Sequence, residues 1–358
     1  MGKQLRITLP FLLVTVFLIR LFAADKMLVE KYYSNGIYPG ISKVLKYSLG
    51  WVPFSLGDIL YGLFAGWLLF KIIKLFTLLF KGKYNWQLFR QSMIKISILS
   101  LAIYIAFNGL WGLNYNRKGI ADQLGIKMAK YSKAELVIID SLLLEKVNVN
   151  KSALIRNQSH KKPVKQIFEQ AEIAYQNLAK QYPFCTYHPA SIKSSAWGWL
   201  GNYLGFIGYY NPFTGEAQVN TTVPVFLQPY TTCHEIAHQL GYAKENEANF
   251  VGYLAAASSA DTAFQYSVYL DLFLYAQRNL YRVDSVTAKL FYKKIGPEVK
   301  ADLTEWKIFN ERHKSPFEPM FNWVYGKYLK NNEQPSGVLS YDEVTGFLIA
   351  YHKKFGKL

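Results

Sequence analysis

Two histidines four residues apart bracket a glutamate in the run Thr232-Cys233-His234-Glu235-Ile236-Ala237-His238-Gln239-Leu240-Gly241. On an α-helix, residues four apart lie one above the other on one face. His234 and His238 can therefore aim an imidazole nitrogen each at a single Zn²⁺. Glu235 is rotated off that axis by one residue. It can reach a metal-bound water and act as general base, but it is poorly placed to be a ligand. A bare HExxH run arises by chance in about one chain per hundred of this length, so its surroundings must decide. Ile236, Ala237 and Leu240 are apolar, which predicts a helix buried on one side. Buried histidines need partners, and a metal supplies one.

The elements that must hold these residues follow from the flanking sequence. Pro229 fits a first helical turn, Thr231 or Thr232 fits a cap, and Gly241 fits a C-terminal glycine. A second helix is expected from about Lys244 to Ser258. Before the motif, residues 191–225 are rich in Gly, Tyr, Phe and Asn. The Asn211-Pro212 and Thr214-Gly215 pairs predict a small twisted sheet or hairpin with Gly215 near its tip. Glu216 then reads as a turn residue. Ser132-Lys-Ala-Glu135 is a capping-box pattern, and Val164, Ile167, Phe168, Ala171, Ala174, Tyr175 and Leu178 recur at helical spacing. Further helices are expected at 263–281 and 284–294.

The chain has 358 residues and hydrophobic residues make up 51% of it. Residues 1–113 are dominated by apolar runs, and residues 114–358 are mixed, which predicts a membrane domain followed by a catalytic domain. Three transmembrane helices are expected, near 5–24, 55–79 and 94–113. Lys81, Lys83, Arg90 and Lys95 fill the link between the second and third. By the positive-inside rule that link is cytoplasmic, which places the domain from about Asn114 outside the cytoplasm of a bacterial inner-membrane protein. The loop from Asp25 to Gly50 carries several lysines. The net charge of +17 is scattered along the chain, as suits a surface lying against anionic lipid, and not gathered into a nucleic-acid-binding stripe. No nucleic-acid partner is expected. Cys185 and Cys233 match no zinc-finger spacing, and two cysteines build no disulfide scaffold.

The third metal ligand is indicated by resemblance. Metzincin peptidases carry HExxHxxGxxH. Gly241 fits that pattern, but Lys244 stands where their third histidine would be. The following Glu245-Asn246-Glu247-Ala248-Asn249-Phe250 resembles the gluzincin peptidases, whose third ligand is a glutamate on the next helix. The pattern Glu-x-x-Ala-Asn selects Glu245 as ligand and Asn249 as a residue supporting a zinc histidine. The pattern Asn-Glu-Ala selects Glu247 instead. Glu245 is preferred, with Glu247 the alternative. The whole layout also resembles a family of bacterial membrane proteins that join N-terminal transmembrane helices to a C-terminal HExxH domain, most specifically over residues 205–257. The resemblance implies an α+β, mainly helical, zincin-like fold with a small sheet.

The expected function is a membrane-anchored zinc metallopeptidase acting on peptides or proteins. The alternative is a non-catalytic zinc-containing membrane receptor or assembly factor, and an intact Glu235 argues against it. An intramembrane protease is disfavoured because Thr231, Thr232, Gln239, Lys244 and Glu245 surround the motif with polar groups. Tyr209, Tyr210, Tyr341, His188, His313 and His352 are candidates to polarise a carbonyl, each more readily explained by packing.

Overall fold

The computed structural model describes residues 3–157 and 162–358. It is mainly helical, with one small three-stranded sheet. The chain opens with an apolar helix, α1 (Lys3–Ala23), followed by the short α2 (Lys26–Leu28), a π-helical stretch at Val29–Ile37, and α3 (Tyr38–Leu49). Two long helices come next, α4 (Leu56–Phe80) and α5 (Trp86–Leu110). Ser55 and Asn85 start them, each accepting a hydrogen bond from the backbone N–H three residues on.

Both α4 and α5 are long and apolar enough to cross a membrane. At 1.5 Å per residue, 25 residues extend roughly 37 Å, against about 30 Å of bilayer hydrocarbon. Leu63, Leu69, Phe70, Phe76 and Ile96 stand exposed on them, an apolar surface of the kind that marks contact with a membrane or another protein. Thr8–Ala23 of α1 is also apolar; α1 packs along α5. The third expected span shifts toward the N-terminus. Asn85 caps α5 at Trp86, so Arg90 and Lys95 lie within the helix and the link shrinks to Lys81–Asn85. At the other end the helix stops at Leu110, and Trp111 and Leu113 are buried in the domain.

The segment between α1 and α4 is not a loop. Its π-helical turn and α3 form a strap packed against the domain, with Val29 and Tyr38 buried. Tyr38 donates to the Gln239 carbonyl at 2.8 Å, and Glu30 pairs with the buried Arg117 at 2.8 Å. The strap thus crosses the division expected at residue 113.

Beyond α5 come α6 (Ile120–Leu124), α7 (Lys133–Arg156) and α8 (Val164–Gln181). The Ser132–Glu135 capping box forms. The helical stripe of α8 buries Ile167, Ala171, Ala174, Tyr175 and Leu178. The sheet follows: β1 (Ile192–Ser194), then α9 (Gly198–Leu204), then β2 (Gly208–Asn211) and β3 (Glu216–Val219). Its order is β1-β3-β2, with β3 parallel to β1 and antiparallel to β2. Gly215, at φ +69°, makes the turn between β2 and β3. The remaining helices are α10 (Gln228–Gln239), α11 (Glu245–Ala257), α12 (Thr262–Val283), α13 (Ser285–Lys293), α14 (Pro297–Arg312), α15 (Glu318–Asn331) and α16 (Val344–Phe355). The core gathers around α10 and α11, which pack on α8, α12 and α16 through Ile236, Phe250, Val251, Leu270, Phe273 and Leu348. Cys185 and Cys233 are free thiols within it, and burial pushes both thiols up, Cys185 to about 12.

Glu216 is not a turn residue. It begins β3, fully buried, and its carboxylate accepts from the Gly57 N–H at 2.6 Å and the Leu56 N–H at 3.1 Å. A carboxylate under the first turn of α4 satisfies orphan donors and meets the positive end of the helix dipole. Asp58 completes the joint, accepting from the Ala196 N–H at 2.6 Å and from the Tyr209 hydroxyl. The apolar helix α4 is thereby fixed to the sheet.

Candidate metal centre

Every residue of α10 is buried, so each polar side chain on it needs a partner. Thr231 and Thr232 do not cap. The helix begins earlier, at Gln228, and both hydroxyls sit inside it, donating to the Leu227 and Gln228 carbonyls at 2.9 and 2.7 Å. Pro229 does occupy the first turn. Gly241, at φ +85°, ends the helix as expected, with the Tyr242 N–H returning to the Ala237 carbonyl at 3.1 Å. That reversal brings α11 back along α10. The two helices approach closely at Gly252, where a Cβ would stand 3.1 Å from the His234 backbone.

The reversal sets the first turn of α11 against the two histidines. Glu245 Oε2 lies 3.3 Å from His234 Nε2 and 3.6 Å from His238 Nε2. All three ligand atoms fall within 4.8 Å of one another, and theirs is the one such group of metal-binding side chains among the described residues. Tetrahedral zinc with bonds of about 2.05 Å sets its ligand atoms about 3.3 Å apart. Each of these three side chains is oriented from behind. His238 Nδ1 sits 2.8 Å from the Tyr242 carbonyl, which leaves Nε2 free to face the centre. Asn249 hydrogen-bonds His234. Glu245 Oε1 accepts from the Tyr325 hydroxyl at 2.7 Å, while Oε2 has no hydrogen-bond donor. Trp111, at the end of α5, donates its indole N–H to the His238 carbonyl at 2.9 Å.

The charges respond to this enclosure. Burial works to raise the Glu245 carboxyl, but the two imidazoles outweigh it and hold the carboxyl well below its ordinary range. Burial lowers His234. For His238 burial is outweighed by Glu245 and Glu235, which raise it to about 9. Burial pushes Glu235 up to about 8, with some opposition from His238 and reinforcement from Glu245. A buried carboxylate with an unpartnered Oε2 is costly unless something polar comes to meet it.

Glu247, two residues on, turns the other way. It is buried against the Gly119 turn, where a Cβ on Gly119 would collide with its carboxylate at 2.2 Å. It stands outside the group formed by His234, His238 and Glu245.

His234 and Glu235 open onto a cavity of about 790 Å³. One wall is β2, the edge strand, through Gly208 and Tyr209. A second is α12, through Asp271, Tyr275 and Arg278, and a third is α15, through Phe321 and Tyr325. Tyr61, Gly62 and Ala65 of α4 line its apolar side. Among the other sequence candidates, Tyr341 reaches the site. Its ring lies nearly parallel to that of His234, 6.3 Å between centroids, and its hydroxyl is 3.3 Å from that of Tyr325. Tyr209 lines the cavity but is engaged by Asp58. Tyr210 packs behind it on Trp111. His188 meets Tyr47, His313 meets Phe309, and His352 lies on α16.

Gly208, Tyr325, Trp111 and the α4 wall are site features that the sequence did not disclose. Gly208 has a local reason: a Cβ there would stand 2.5 Å from Glu235 Oε1. Compared with known proteins, the chain matches no curated protein and no solved structure. Residues 33–349 match the family described as "Protein of unknown function (DUF3810)". That match takes in the strap from Tyr33 on, α4, α5, the sheet and the His234–His238–Glu245 group, and the chain belongs to this family.

Proposed function

We propose that this chain is a membrane-anchored zinc-dependent peptidase. One observation carries the reading: Glu245 Oε2 lies 3.3 and 3.6 Å from the His234 and His238 Nε2 atoms, close to the spacing of zinc ligands, beside the buried Glu235, whose Oε2 is unpartnered and which lines a cavity. His234, His238 and Glu245 would hold the ion, with Asn249 and the Tyr242 carbonyl orienting the imidazoles. Zinc, when bound, supplies Lewis acidity and lowers the pKa of water.

The remaining chemistry belongs to the chain. Glu235 takes the proton of the attacking water and delivers it to the leaving amine. The Tyr341 hydroxyl, beside Tyr325, is the side-chain donor that can meet the developing oxyanion. An extended peptide can pair with the free edge of β2 at Gly208 and Tyr209, beside Glu235, which aligns its backbone for attack. A purely structural zinc site, as in a receptor or assembly factor, has no use for a carboxylate at 235.

The helices α4 and α5 would anchor the domain. Both meet it at their outer ends, Leu56 and Leu110, so the basic Lys81–Asn85 tip projects from the far side. By the positive-inside rule that tip is cytoplasmic and the catalytic domain lies outside the inner membrane.

The test is hydrolysis of a mixed peptide library by the purified full-length protein, read by mass spectrometry. Wild type should cut. Glu235→Gln, loaded with equal zinc, should lose at least about 100-fold. Wild-type cutting by that variant would sink the peptidase reading.

A further inference from the structure

We propose that the cavity is entered from the bilayer, and that its substrate is a polypeptide held in the membrane by an apolar segment next to the scissile bond. This rests on the peptidase reading above and names its substrate class.

Helix length makes the first argument. Hydrocarbon about 30 Å thick takes about 20 residues of an upright helix. α4 ends at Phe80, so its hydrocarbon-embedded part begins no later than about Tyr61, and any tilt moves that point closer to Leu56. Tyr61, Gly62 and Ala65 all line the cavity. The cavity therefore extends along α4 to the depth where acyl chains begin. Gly62 and Ala65 are three apart, on one helical face; the Trp197 indole packs on Gly62, and Ala65 presents only a methyl group.

The outer surface of the other walls makes the second. α9 and α15 contribute Leu200 and Phe321 to the cavity. The same helices expose Trp199 and Tyr203, and Met320, Trp323 and Val324, with Phe317 just before α15. Trp323 is 65% exposed, and Lys327, one turn on, stands over its ring. Exposed tryptophan and tyrosine with a neighbouring lysine is the composition of a membrane interface. These elements adjoin α4 around the cavity, since Trp197 packs on Gly62 and Phe206 bridges to Phe321.

The cavity is thus graded. Its lipid-level end is apolar, and its inner end holds His234 and Glu235. Between them runs the free edge of β2. A peptide backbone can pair with that edge, whereas a lipid ester has no N–H donor and no alternating N–H and C=O groups to offer it. The site therefore fits a chain that leaves the bilayer at α4 and extends along β2 to Glu235.

Two measurements on the full-length protein in lipid nanodiscs decide this. The first needs neither zinc nor activity. Nitroxides at Trp199→Cys and Trp323→Cys should be relaxed by oxygen and shielded from a soluble nickel chelate. Ile138→Cys, exposed on α7, should show the reverse. Nickel accessibility at 199 and 323 equal to that at 138 would overturn the bilayer entrance. The second compares one peptide library free and joined to a 20-residue Leu/Ala membrane segment. At equal bulk concentration the anchored form should be cut at least about 10-fold faster, from confinement in the same bilayer. Equal rates, or preferential hydrolysis of a diacyl ester probe, would overturn the substrate assignment. If zinc-loaded protein cuts none of these probes, the peptidase reading fails and takes the substrate class with it. The nitroxide result still judges the entrance alone.

Discussion

Gly208→Ala separates the proposed base from the proposed ligands by moving one carboxylate. A Cβ at 208 would stand 2.5 Å from Glu235 Oε1 and 3.0 Å from its Cδ and Cγ. Carbon and oxygen rest at about 3.5 Å, so the Glu235 head must retreat by roughly 1 Å. The retreat is easy, because the carboxylate ends a flexible side chain and its Oε2 has no hydrogen bond to break. Gly208 has no positive φ to preserve, and the folded state should lose less than about 1 kcal/mol. The reaction should suffer far more. A misplacement of about 1 Å typically costs about 100-fold, equivalent to about 2.7 kcal/mol of barrier. His234, His238 and Glu245 are untouched, so zinc affinity should stay within about twofold of wild type. The assay pairs library hydrolysis with a chelator competition on the same preparation. Full activity in Gly208→Ala, or loss of zinc with loss of activity, would refute the placement of Glu235.

Glu245→Ala should weaken zinc by more than about 100-fold, beyond what an outer-shell partner supplies, and Glu247→Ala by less than about 10-fold. A competition titration reads both, and the reverse order would reassign the third ligand. Asp140, buried on α7 with neither carboxylate oxygen partnered, is raised by burial to about 8. The folded chain thus holds a proton that the unfolded chain releases above about pH 4, so this residue lowers stability as pH rises, by about 1.4 kcal/mol per unit. Asp140→Asn lacks that slope. Its stability advantage should grow from near zero at pH 4 to at most about 4 kcal/mol at pH 7, and parallel pH profiles would refute the assignment. Protease added outside intact spheroplasts should degrade residues 114–358; full protection until lysis would reverse the topology.

The motif was legible because its information is local. Helical spacing aligns His234 with His238, and Gly241 marks the only sharp reversal between them and Glu245. The choice between Glu245 and Glu247 was not legible. Two residues apart on a helix they point apart, and which one faces the histidines depends on how α11 docks at Gly252. The hairpin at Gly215 and the α8 stripe were likewise readable from turn residues and periodicity. Glu216 was misread because its partners, the N–H groups of Leu56 and Gly57, lie about 160 residues away. The strap at 26–49 looked like a lysine-bearing loop because its buried contacts, Tyr38 with Gln239 and Glu30 with Arg117, are also remote, 201 and 87 residues apart. Tyr325 was hidden among 27 tyrosines until the fold brought its hydroxyl to Glu245.

The metal itself is the most direct test. Full-length protein purified in detergent without added metal, and analysed for elements by plasma mass spectrometry, should contain about one zinc per chain, as single-ion HExxH sites do. The His234→Ala/His238→Ala double variant, purified alongside and shown to be folded, should contain almost none. Wild-type protein without zinc that also fails to take it up on dialysis, or stoichiometric zinc surviving in the double variant, would contradict the account.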